Sequence, residues 1–340
     1  MSEADAVTVV LWIAVTLYAV LAGADFGAGF WDLIAGGAER GARPRAFIDR
    51  VLTPVWEANH VWLIFILVVT WSAFPDAFGA IFSTLYVPLC LAALGIVLRG
   101  AGFALRHVVR GVGGQRALGA TFAISSVITP FFMGTVVGAI ASGEVPAVGT
   151  GDRLDSWLNL SAVAIGVLFV ATCAYLAAVF LLSEARRARD TEMEAYFQAR
   201  AIAIGVAAGA IALLSLVALR ADARPLYDDL VGDALPLVVL SGLCGLAALA
   251  QLVRGGPGAR PLAVGAVAAV VWAWGVAQRP DILPGQLTID QAAAPDSTLT
   301  ALFVVFGAAL IIVLPAFALL FNLHQRSLLE EADRTRSSDG

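Results

Sequence analysis

Residues Val10–Trp31 read VLWIAVTLYAVLAGADFGAGFW, a run of 22 residues with a single charged side chain, Asp25. About 20 apolar residues suffice to cross the hydrocarbon of a bilayer as a helix, so this stretch predicts a transmembrane span. A carboxylate inside such a span costs at least ~2.5–3.5 kcal/mol on insertion scales and faces protein or water rather than lipid. The next apolar run opens on Trp56-Glu57-Ala58-Asn59-His60-Val61-Trp62, with a second acid and an imidazole.

The composition agrees along the whole chain. Sixty per cent of the 340 residues are hydrophobic and 14% are charged, and the mean hydropathy is +0.86. These values exclude an ordinary soluble domain and describe a polytopic membrane protein. Nine apolar runs fall near 7–36, 51–74, 77–105, 117–141, 157–183, 201–220, 235–253, 261–278 and 298–322. The expected architecture is an all-α transmembrane domain over 1–322, arranged as two four-helix bundles plus one peripheral helix. A charged cytoplasmic tail follows at 323–340. The first run is too long for a signal-peptide core and lacks a basic flank, so it is expected to stay in the protein.

All 21 basic residues are arginine. Sixteen fall in connections 1–2, 3–4, 5–6 and 7–8 and in the tail, four fall on the opposite side, and Arg99 lies within the third run. The positive-inside rule then places the N-terminus outside and the C-terminus in the cytoplasm. On that orientation Asp25, Glu57, Arg99, Ser125 and Ser126 all lie in the cytoplasmic half, about 9–16 Å inward from the helix ends. Two readings follow. The residues form a file of protonatable and hydroxylic groups, or they form a buried Arg–carboxylate network that only fixes helix packing.

Glu57 and His60 make one Glu-x-x-His pair. A di-iron bundle needs two copies plus further glutamates, so His60 is read as a packing histidine, and no metal site is expected. Cys90, Cys173 and Cys244 are too few and too scattered for a disulfide framework and are read as buried thiols. Gly23 and Gly27 offer a small-residue face for close helix contact, expected to meet a partner subunit. Pro130 is expected to kink the fourth span, and most tryptophans to lie at the membrane interface. Gly111-Val112-Gly113-Gly114 is read as a turn, and 279–297 as a cover over the outer face. No nucleic-acid-binding or nucleotide-binding motif is present.

Taken together, Gly23-Ala24-Asp25-Phe26-Gly27-Ala28-Gly29, Trp56-Glu57-Ala58-Asn59-His60-Val61-Trp62 and Arg99-Gly100-Ala101-Gly102-Phe103 resemble subunit II of the cytochrome bd-type quinol oxidases, in its cyanide-insensitive-like branch. The resemblance implies a heterodimer in the bacterial cytoplasmic membrane, with small accessory subunits and lipid as further neighbours. Subunit I would carry two b-type haems and one d-type haem, oxidise quinol and reduce dioxygen to water. This chain would bind no cofactor. Asp25, Glu57, Ser125 and Ser126 would be the proton-pathway candidates, supported by Arg99, His60 and Trp56. Some family members carry Asp in place of Glu57 and Gln in place of His60, so His60 is not expected to be essential. The competing class is a proton-coupled secondary transporter, and a purely structural partner subunit is a third.

Overall fold

The structure, a computed structural model, describes residues 2–37, 39–52, 56–105, 112–309, 311, 312 and 315. Helix α1 spans Glu3–Leu33, and Ser2 starts it through a capping box with Asp5. There follow α2 (Ala42–Leu52), α3 (Trp56–Ala73), α4 (Pro75–Thr84), α5 (Tyr86–Leu105), α6 (Val112–Ala141), α7 (Leu160–Arg187) and α8 (Thr191–Asp222). The chain continues through α9 (Arg224–Val231), α10 (Leu235–Val253), α11 (Ala259–Gln278), the hairpin β1 (Asp281–Leu283) and β2 (Leu287–Thr288), and α12 (Ile289–Ala292). The last described helix, α13, covers Asp296–Ala309. Six helices are long and apolar enough to cross a membrane, or seven if the bent pair α3–α4 is one span. The protein is therefore all-helical in its membrane part and multi-pass.

Several expectations change in detail. The run at 77–105 is two helices. Pro75 begins α4 after a bend of 118° from α3, because the residue before a proline is pushed out of the helical region. Pro88 then has no N–H for the Thr84 carbonyl, and the chain restarts as α5 at Tyr86. At the other end, Val112–Gly114 are already helical within α6 rather than forming a turn, and Pro130 lies inside α6 without ending it.

Helix α1 packs on α7, α6, α3 and α11. A core of Val20, Ala24, Trp31, Phe47, Leu176, Phe197 and Leu252 joins it to α2, α7, α8 and α10. The two expected halves thus share an interface, since α1 and α6 both pack on α7. The glycines of α1 serve this internal packing. A Cβ on Gly27 would fall 1.8 Å from the Cys173 carbonyl oxygen of α7, so the Gly23/Gly27 face is closed by this chain and does not meet a partner.

The tryptophans divide. Trp31 is 4% exposed and donates to the Ala174 carbonyl at 2.8 Å, and buried Trp157 donates to the Arg153 carbonyl. These two are core residues rather than interfacial ones, whereas Trp71 is exposed. Cys173 is buried, Cys244 half-buried and Cys90 exposed, which corrects the reading of Cys90 as a buried thiol. The segment 279–297 is a hairpin and a short helix tied to the start of α1, through Ser2 Oγ to Asp290 at 3.0 Å and Arg279 to Asp5 at 3.0 Å.

Candidate functional site

Asp25, Arg99 and Ser126 come together at the junction of α1, α5 and α6. The Arg99 guanidinium donates from Nη2 to Asp25 Oδ1 at 2.6 Å and to the Asp25 carbonyl at 3.1 Å. Its Nη1 donates to Ser126 Oγ at 2.7 Å. The pair is sealed, with side-chain exposures of 3% for Arg99 and 2% for Asp25. A charge-assisted bond of this length is among the stronger protein hydrogen bonds, and a buried pair is tolerated only with such geometry and further hydrogen bonds.

The hydroxyls continue along α6. Ser126 Oγ donates to the Phe122 carbonyl at 2.6 Å, Ser125 Oγ to the same carbonyl at 3.0 Å, and Thr129 Oγ1 to the Ser125 carbonyl at 2.8 Å. Ser125, Ser126 and Thr129 are all buried. As a result Ser126 bridges Arg99 to the helix backbone, while Ser125 lies one turn-step away and bonds only to that backbone in the described contacts. For either hydroxyl to pass a proton it must first rotate away from the Phe122 carbonyl.

Sequence reasoning missed the aromatic walls. The Arg99 guanidinium carbon sits 4.9 Å from the Phe26 ring centre and 4.6 Å from that of Phe122, a cation–π arrangement that is stronger where water is excluded. The signal was available: Phe26 adjoins Asp25, and Phe122 precedes Ser126 by four residues, the spacing that places two side chains on one helix face. Close approach is set by small residues. A Cβ on Gly29 would fall 2.2 Å from Ser126 Oγ, and one on Gly102 3.2 Å from Phe122 Cβ.

The remaining candidates are less fully placed. The backbone of Trp56 and Glu57 belongs to the start of α3, and their side chains lie outside the described residues. His60 is half-buried on the same helix. His107 and His324 also lie outside the described residues. Among the described residues no group of three or more His, Cys, Asp or Glu side chains converges as a metal site would need. Chemically, the arrangement can hold a charge on Asp25 against a fixed guanidinium at a depth where lipid could not solvate it.

Comparison with known proteins gives a consistent result. The family model for cytochrome bd terminal oxidase subunit II matches residues 4–324. A putative cytochrome bd menaquinol oxidase subunit II from Bacillus subtilis is 23% identical over 336 residues, covering 93% of this chain and 94% of that protein. A cytochrome bd ubiquinol oxidase subunit 2 from the same organism is 25% identical over 226 residues, covering 66% of this chain and 64% of that protein. Among solved structures, a chain of the bd oxidase from Geobacillus thermodenitrificans matches with a TM-score of 0.80 and 26% identity, covering 95% of this chain and 98% of that one.

Proposed function

The chain belongs to the cytochrome bd terminal oxidase subunit II family, and on that premise we propose that its buried Asp25 cluster carries protons toward the oxygen-reducing site of its partner. As subunit II of a bd-type quinol oxidase it is one component of a terminal oxidase of aerobic respiration, whose haems reside in subunit I. We take that complex to sit in the bacterial cytoplasmic membrane, with two b-type haems, one d-type haem and small accessory subunits. The finer topology of nine spans, two four-helix bundles and a cytoplasmic C-terminal tail belongs to the same proposal. The haems supply electron transfer and dioxygen chemistry. This chain's residues supply a path.

The observation that carries the reading is a carboxylate 2% exposed inside a membrane-length helix, held by a guanidinium at 2.6 Å. Reduction of dioxygen to water consumes protons, and the hydrocarbon core offers none without titratable groups and water. Glu57, near the start of α3 and following the arginine-bearing α2, would be the first acceptor. Asp25 would hold the proton deeper in, with Arg99 fixing its orientation and Ser126 and Ser125 as hydroxyls beside it. His60 and Trp56 would shape the approach to Glu57.

The packing-only role has one observation in its favour: both serine hydroxyls already donate to the Phe122 carbonyl. The ion pair also decides how the test is built. Asp25→Asn alone would leave Arg99 buried without its anion, so Asp25→Asn is combined with Arg99→Gln to exchange a charged pair for a neutral hydrogen-bonded one. This double variant and Glu57→Gln should assemble with normal haem spectra and consume oxygen slowly with quinol. Glu57→Asp should retain part of the rate. Full turnover across pH in both amide-bearing variants would leave the cluster with a packing role only.

A further inference from the structure

Where α7 ends and α11 begins, a cavity of about 310 Å³ opens between the helices, lined in part by Val179, Leu182, Ser183, Arg186, Arg187 and Arg260. We propose that this cavity binds a phosphate group, in the form of an anionic phospholipid headgroup or a soluble phosphate.

Three guanidiniums converge here, and the charges do not cancel. Arg186 Nε pairs with Glu194 at 2.9 Å. Arg187 and Arg260 share a single oxygen, Glu184 Oε1, each at 3.4 Å. Three cations against two carboxylates leave one positive charge over. The shared contacts are long and single, whereas each guanidinium carries five N–H donors arranged to grip an oxyanion in pairs.

The site is also built rather than merely charged. The Arg260 guanidinium carbon sits 4.1 Å from the centre of the Phe180 ring, a cation–π contact that helps hold it in place. Arg186 Nη1 donates to the Gly256 carbonyl at 2.7 Å, pinning the α10–α11 connection to α7. Its other terminal nitrogen, Nη2, is buried with no hydrogen-bond partner among the described residues. An orphaned buried donor on a cation is costly unless a ligand accepts from it. The 20-residue helix α11 starts at this cavity from Gly258, without a side-chain cap, so its first-turn amides add positive potential at the same place.

The position selects the chemistry further. The floor, Val179 and Leu182, is apolar and fully buried. The rim is arginine and serine at the end of two membrane-length helices, the level at which lipid headgroups lie. Basic pockets between helices at this level recognise anionic headgroups. Neither the Asp25 cluster nor the proposed proton path includes any of these residues, so the inference stands or falls separately.

The test uses the purified oxidase complex in an uncharged detergent, with thermal stability followed while it is titrated with phosphatidylglycerol, with phosphatidylcholine of the same chains, or with inorganic phosphate. Phosphatidylglycerol should protect the complex at far lower concentration than phosphatidylcholine. The double variant Arg187→Gln/Arg260→Gln should need about thirty-fold more, at about fivefold per arginine, with basal quinol oxidase turnover unchanged. Arg187→Lys/Arg260→Lys should restore part of the response. Arg187→Gln alone, at a side chain 75% exposed, gives the single fivefold step if the double variant does not assemble. Arginine-dependent protection by inorganic phosphate alone would assign the site to a soluble phosphate. Equal protection by both lipids with none from phosphate, or variants that respond as the unsubstituted complex does, would overturn the proposal.

Discussion

Replacing Gly27 by alanine adds one methyl group where α1 crosses α7, and the structure fixes what that methyl meets. The new Cβ would lie 1.8 Å from the Cys173 carbonyl oxygen and 2.3 Å from its carbonyl carbon, against an ordinary contact of about 3.5 Å. The helices must therefore part by roughly 1.5 Å. Retreat is blocked on the other side, because at Gly29 the α1 backbone already lies against Ser126 of α6. The strain has no cheap outlet, and we expect the upper end of the overpacking range, about 3 kcal/mol. At about 2 °C per kcal/mol for a large domain this lowers the melting temperature by about 6 °C. Weakened binding of Trp31 to the Ala174 carbonyl of α7 should accompany it, read as a red shift in tryptophan emission. The matched control is Gly209→Ala in α8, where nothing lies within 4 Å of the added carbon. That exchange should be neutral or stabilising by up to about 1 kcal/mol. The two variants would be compared by thermal unfolding of the purified complex. If Gly27→Ala melts within about 1 °C of the unsubstituted protein, the α1–α7 crossing described above is wrong.

Three further outcomes follow from the same geometry. Arg99→Gln alone should cost about 3–5 kcal/mol in thermal unfolding, because it strands a buried carboxylate; the paired Asp25→Leu/Arg99→Leu exchange should recover most of that stability but not the oxygen consumption, and recovery of both would end the proton reading. Asp190 caps α8 by accepting from the Met193 amide at 3.1 Å, and this bond, with help from Arg43, holds its carboxyl below the usual 3.8. A carboxyl depressed on folding stabilises above its unfolded pKa and loses that contribution as pH falls through the folded value. The melting temperature of Asp190→Ala should then lie below that of the unsubstituted protein at neutral pH, and the gap should close as the pH drops below 3.8; a gap unchanged down to strongly acid pH would refute the capping account. Tyr86→Pro, at the first position of α5, should be better tolerated than Leu91→Pro within it, compared by assembled complex per cell, since a first-position amide has no intrahelical partner and only the second exchange removes an intrahelical bond.

Much of the fold was legible because the bilayer imposes a length on apolar runs. The seventh run, 235–253, coincides with α10, and the first, fourth, fifth, sixth and eighth each overlap one helix. The break at Leu85 was not legible from hydropathy, because Leu85 and Tyr86 are apolar and the interruption comes from Pro88, whose effect is on backbone hydrogen bonds. The Asp25–Arg99–Ser126 contact could be anticipated as part of a larger set with Glu57 and Ser125, since a lone cation within the spans has few anions to meet. Its direction could not: the 2.6 Å pairing and the Phe26 and Phe122 walls depend on helix rotation, which spacing alone does not set. The Gly23/Gly27 face was correctly expected to pack, but its neighbour was misassigned, because small residues say how near a helix can come and not which one.

The ion pair between Asp25 and Arg99 joins residues 74 positions apart, and this has a consequence for biogenesis. At ribosomal speeds of about 5–20 residues per second, Arg99 follows Asp25 by about 4–15 s. During that interval α1 has an acid at membrane depth and no guanidinium to meet it, and its glycine face has no α7 to close on. Maturation of this chain is therefore an ordered event in which the arrival of α5, then of α6 and α7, supplies the contacts that α1 lacks when it is made.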